Sequence, residues 1–168
     1  MNDKLEFALR TVLIGVGATL MMDAWALVLR QFGVPSLNFA FLGRWLGHLR
    51  QRQWRHQSIE RSAPIKGERL FGWCAHDSIG IIFAGLLLAT FGLNGANSAS
   101  LGPALLIGIA TVLLPLFILQ PALGAGIASS KTAKPIFNCA KSIVTHMVYG
   151  GGLYLAAIAS NALISAAR

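Results

Sequence analysis

The chain has 168 residues, of which 55% are hydrophobic and only 12% charged, with a formal net charge of +8 at pH 7. Its mean hydropathy is +0.62 and its pI about 10.4. Soluble domains carry roughly twice that charged share, so a soluble globular enzyme, a disordered chain and a nucleic-acid-binding module all fit poorly, and the length suits one domain.

The first apolar stretch runs over about 7–29 and contains Asp23. A helix needs ~20 mostly apolar residues to cross the hydrocarbon core. Lys4 and Arg10 ahead of 11–22, with Ala24-Trp25-Ala26 behind, have the look of a cleavable leader. The run nevertheless continues through Leu27, Val28 and Leu29, and Asp23 stands where a leader is neutral, so an uncleaved first span is expected.

The segment 30–69 is basic: Arg30, Arg44, Arg50, Arg52, Arg55, Arg61, Lys66 and Arg69 stand against Glu60 and Glu68. Within it, 37–50 repeats apolar residues at 41/42, 45/46 and 49, with Arg44, His48, Arg50 and Arg52 on the other side. That helical spacing predicts an amphipathic helix on the anionic inner leaflet, anchored by Trp45 and Trp54, with a solute-gating helix as the alternative. Arg44 and Arg69 are expected to contact anionic headgroups or a solute, and His48 and His56 to sit in solvent or among headgroups.

Three further stretches of spanning length follow, over about 70–93, 101–123 and 139–166. The second carries His76 and Asp77, and the connection 94–100 has no charge. The third contains Pro103, Pro115 and Gln120; Pro115 and Pro121 predict a kinked or broken end lining a cavity beside Gln120. The glycines of Gly124-Ala125-Gly126 let that helix stop; with Lys131 they lack the spacing of a phosphate loop. Lys131, Lys134 and Lys141 precede or open the fourth span, which carries His146. Cys74 and Cys139 make no disulfide framework and are expected as free thiols that pack.

Lys and Arg collect on the cytoplasmic side of a membrane. Only Lys4, Arg10 and Arg168 fall away from the first and third connections, which places those connections in the cytoplasm and both termini in the periplasm.

Two spans share a pattern. Gly72, His76, Gly80 and Ala84 stand four apart, as do Ser142, His146, Gly150 and Tyr154, so each His lies in a column with small residues. Thr19 and Thr111 echo each other in the first and third spans. The pattern is that of two tandem helical hairpins related by an axis along the membrane normal, with the small columns available for close packing or a homodimer. At 1.5 Å per residue, Asp23, His76, Asp77, Gln120 and His146 all fall roughly 5–11 Å inside the cytoplasmic boundary. Ionisable groups there are costly and face the bundle interior or a cavity.

Three readings of this layer stand open: hydrogen bonding that fixes helix register, a proton- or solute-linked path through Asp and neutral-range His, and a haem or divalent-metal site held by His76 and His146 or by His with Asp. No hydrolase or kinase signature is present, and the chain reads as a non-enzyme.

Gly17-Ala18-Thr19-x-x-Met22-Asp23-x-Trp25, Gly43-Arg44-Trp45-Leu46-Gly47-His48, Gly67-Glu68-Arg69-x-x-Gly72-Trp73-x-Ala75-His76 and Gln120-Pro121-Ala122-x-Gly124-Ala125-Gly126 carry a resemblance over nearly the whole chain. By these stretches it resembles the bacterial membrane proteins of domain-of-unknown-function family 2938. The resemblance implies a small inner-membrane protein and supplies no activity or site residue. The expectation is therefore a four-transmembrane-helix bundle with an interfacial helix in its basic loop, transport-related or proton-linked. It needs no cofactor, touches anionic inner-leaflet lipid, pairs with itself or a membrane partner, and binds no nucleic acid. A haem- or metal-binding redox component and a non-catalytic accessory subunit are the alternatives.

Overall fold

The computed structural model describes residues 2–97 and 100–166. Ser98 and Ala99 of the expected uncharged connection, and Arg168, lie outside the described residues. Every secondary-structure element among the described residues is helical. Four stretches are long and apolar enough to cross a membrane: Asp3–Gln31, Glu68–Gly92, Leu101–Leu123 and Pro135–Ala166. They match the four stretches expected from the sequence.

Helix α1 (Asp3–Gln31) starts where the Asn2 side chain accepts from the Lys4 backbone N–H at 3.0 Å. It then runs unbroken through Ala24-Trp25-Ala26. Helix α2 (Phe39–Leu49) lies in the basic segment, its first turn capped by Asn38. Helix α3 (Glu68–Asn97) keeps helical geometry up to Gly92, whose φ of +73° interrupts it.

The third span is broken, as its prolines predict. Helix α4 (Leu101–Thr111) gives way to a wide π turn over Pro115–Leu119, and α5 (Gln120–Leu123) completes the crossing. Pro115 has no N–H to return to the preceding turn, which is why the ladder changes there. At Gly124 the backbone turns left-handed, with φ +99°, and ends α5. Helix α6 (Pro135–Ala166) is the longest element.

Helix α1 packs along α3 on one side and α6 on the other, and α4 packs along α6. Ile14, Ala18 and Leu153 at the α1–α6 contact are fully buried. In lipid, helices gain little from hiding apolar surface, so close backbone approach carries the association. A Cβ on Gly108 would stand 2.7 Å from the Gly150 Cα, and one on Gly80 would meet the Thr19 methyl at 2.2 Å. The small-residue columns are thus used within the chain. At the far end of α1, Arg10 pairs with Glu6 at 2.9 Å and bonds Asn161 of α6.

The two hairpins, α1 with α3 and α4 with α6, each pack internally, as a tandem repeat requires. A two-fold axis would also make the α3–α4 contact resemble the α1–α6 contact. It does not: α1 and α6 lie together along their length, while α3 and α4 share only a short contact. The space left by that asymmetry is a cavity.

Helix α2, expected from the sequence to be interfacial, is held within the chain. It docks on the start of α3 through two facing glycines. A Cβ on Gly43 would lie 1.8 Å from the Glu68 carbonyl oxygen, and one on Gly72 would lie 1.7 Å from that of Phe39. The expected Trp anchors separate: Trp54 is exposed, while Trp45 is half-buried and donates its Nε1–H to the Trp54 carbonyl at 3.0 Å.

Candidate functional site

A cavity of about 370 Å³ lies between α1, α3, α6 and the broken third span. Phe39, Leu42 and Trp45 of α2 roof it, and its wall is mostly apolar. Asp23, His76, Lys141, His146 and Tyr149 are the titratable side chains on that wall.

The antiparallel crossing of α1 and α3 sets the central pair. The two backbones come closest at Gly15 and Ile81, and beside them the Thr19 methyl meets Gly80. One turn further along α1 is Asp23, and one turn back along α3 is His76, so the two stand level. The Asp23 Oδ1 and His76 Nε2 are 3.2 Å apart. The His76 ring is held in place by Phe39, stacked at 4.3 Å, with Trp73 edge-on at 6.0 Å. Asp77 joins this corner: one ligand atom each from Asp23, His76 and Asp77 lie within 4.8 Å of one another, and all three residues are half-buried.

On the opposite wall, the Thr111 hydroxyl lies 2.6 Å from the Gly108 carbonyl oxygen and 2.8 Å from His146 Nδ1. A hydroxyl has one proton to give. With it on Gly108, His146 donates through Nδ1–H and keeps Nε2 as an acceptor. The Tyr149 hydroxyl donates to the Gly80 carbonyl at 2.7 Å and ties α6 to the α1–α3 crossing. Lys141 donates to the Pro35 carbonyl at 2.7 Å.

The expected layer is therefore only partly assembled. Asp23, His76 and Asp77 come together, and His146 faces the same cavity. Gln120 does not join them: its Oε1 accepts from the Ser129 hydroxyl at 2.9 Å, outside the cavity wall. The π turn is the reason, since its extra residue rotates everything that follows. The two imidazoles bond separate partners, Asp23 and Thr111.

The expected headgroup contacts also divide. Arg69 is exposed. Arg44 turns inward: Nε and Nη2 each reach a Glu68 carboxylate oxygen at 2.8 Å, and Nη1 donates to the carbonyls of Ile59, Glu60 and Ser62 at 2.9, 3.3 and 3.1 Å. The hydrogen bond with Glu68 and its charge raise the Arg44 pKa above its ordinary value, against the effect of burial. This arginine folds the basic segment rather than meeting lipid.

His48 and His56 are buried rather than solvated. His48 Nδ1 lies 2.8 Å from His56 Nε2, and His56 Nδ1 lies 3.3 Å from the Ala122 carbonyl oxygen. Nothing in a basic stretch of sequence marks these residues; the only hint is the Gly43–Gly47 spacing that lets α2 dock closely. Both cysteines are free: Cys74 is exposed, not packed, and Cys139 donates its thiol to the Ala128 carbonyl at 3.0 Å.

No curated protein and no solved structure matches the chain. The family described as protein of unknown function (DUF2938) matches over residues 12–160, a stretch that includes the whole Asp23–His76–Asp77 corner and both walls of the cavity, and the chain belongs to that family.

Proposed function

We propose that this chain is a multi-pass protein of the bacterial inner membrane with a transport-related role, in which the cavity receives a small solute and the Asp23–His76 pair is its polar anchor. The cavity carries this reading. A pair that served only to fix helix register would be packed away from open space, whereas this one stands in the wall of a chamber. At about 370 Å³ the chamber falls within the range of small-molecule pockets, roughly 300–1,000 Å³. Ionisable groups inside spans are costly and mark solute or ion paths. The excess of Lys and Arg in the first and third connections supports a cytoplasmic basic segment with both termini periplasmic. Arg69 and the other exposed cations of that segment suit anionic inner-leaflet lipid.

Accessibility tests the role without knowledge of the solute. In a Cys74→Ser, Cys139→Ser background, Thr145→Cys puts one thiol on the cavity wall. A membrane-impermeant thiol reagent is applied to intact spheroplasts and, separately, to inverted vesicles. A transport role requires labelling from both faces. Labelling from one face only reduces the chamber to a binding pocket and removes the transport reading.

A further inference from the structure

We propose that Asp23, His76 and Asp77 form a binding site for one divalent first-row transition-metal ion. On the transport reading above, on which this step rests, that makes such a cation the solute class of the chamber.

The donor set comes first. One imidazole nitrogen and two carboxylates, from two different helices, lie within 4.8 Å of one another. A metal with N and O ligands at about 2.0–2.2 Å in tetrahedral geometry holds neighbouring ligand atoms about 3.4 Å apart. The Asp23 Oδ1 to His76 Nε2 separation of 3.2 Å is already that of two ligands on one ion. Asp77 supplies the third donor atom within 4.8 Å of the other two. Phe39, stacked on the His76 ring, fixes the one ligand whose direction matters most.

Charge is the second argument. Among the described residues Asp77 has no hydrogen-bond or ion-pair partner. Two carboxylates beside one imidazole, half-buried between spans, leave negative charge that Lys141 does not answer, because its ammonium is on the Pro35 carbonyl. A dication at this corner neutralises both carboxylates at once. The imidazole disfavours Mg²⁺ and Ca²⁺, which take oxygen ligands. The exposed Cys74 stands outside the group, so the site lacks the thiolate that would select Cu(I). Three protein ligands leave at least one coordination position open, and the Asp23–His76 edge of the corner borders the chamber. His146, a sequence candidate for metal together with His76, is not part of this group.

The test uses the full chain in mild detergent, stripped with a chelator and equilibrated with Zn²⁺. Elemental analysis after gel filtration gives the stoichiometry, and competition with a chromophoric chelator gives the affinity. We expect about one Zn²⁺ per chain. Co²⁺ in its place should show visible d–d bands that disappear in His76→Ala. Outer-sphere changes already cost 10–100-fold in metal affinity, so Asp77→Asn should weaken Zn²⁺ by at least ~100-fold. Asp77 has no bond to lose, so this variant should keep the elution volume and metal-free melting temperature of the wild type. A folded wild type that takes up no Zn²⁺ overturns the site, as does uptake that survives both His76→Ala and Asp77→Asn. Two-faced thiol labelling without bound metal would remove the metal site and leave transport. Bound metal with one-faced labelling would keep the site and remove transport.

Discussion

Replacing Arg44 by Ala should unfold the basic segment before it disturbs the bundle. The guanidinium makes two bonds to Glu68 and three to the carbonyls of Ile59, Glu60 and Ser62. Its side chain is 10% exposed and that of Glu68 17%. Removing one member of a buried pair costs about 3–5 kcal/mol, mostly through the charge left behind. Glu68 retains some water, so the lower end applies, about 3 kcal/mol. At roughly 2–4 °C per kcal/mol for a chain of this size, the melting temperature should fall by about 6–12 °C. Arg44→Lys keeps a charge for Glu68 but lacks the planar fork that also reaches the three carbonyls, so it should recover only part of the loss. The assay is thermal unfolding of the detergent-purified protein, followed by tryptophan fluorescence. A shift under about 2 °C for Arg44→Ala, or full recovery with Lys, would refute the reasoning.

Gly108→Ala forces a methyl to within 2.6 Å of the His146 carbonyl oxygen and should cost about 1–3 kcal/mol, while Gly102→Ala, which meets nothing within 4 Å, should be neutral or stabilise by up to ~1 kcal/mol. The same melting assay compares the two, and equal effects would contradict the α4–α6 crossing. His56→Ala removes the ring between His48 and the Ala122 carbonyl, at a cost of about 1–3 kcal/mol. It should make trypsin cut faster at Arg50, Arg52 and Arg55, and unchanged digestion would speak against the buried pair. A phosphatase reporter fused after Arg168 should be active only in the periplasm; cytoplasmic-type behaviour would reverse the orientation.

The spans were legible because runs of about 20 apolar residues have few other uses, and the break in the third was legible because Pro115 removes a backbone donor. The common depth of Asp23, His76 and His146 was legible from their distance to the basic boundary, but which histidine meets Asp23 was not. What the sequence hid depends on contacts between distant segments. Arg44 finds Glu68 only because Gly43 and Gly72 lack side chains, which lets α2 come close. In a stretch so rich in Arg, each cation reads as solvated until that docking is known. His56 is buried by Ala122, which another span supplies. Gln120 has the right depth but the wrong face, because one extra residue in the π turn cannot be counted from the sequence.

The loop that holds His56 also joins two parts that look separate. The His56 backbone N–H donates to the Ala122 carbonyl at 2.9 Å, and Gly124 sits so near Gln57 that a Cβ there would lie 2.3 Å from its carbonyl oxygen. From there His48 and Arg44 carry the connection into α2. The roof of the chamber and the tip of the broken helix are thus tied to one strap. The two cannot be displaced independently: a change that shifts α2 also loads the bonds at Ala122 and Gly124, so damage at one end of the chamber is felt at the other.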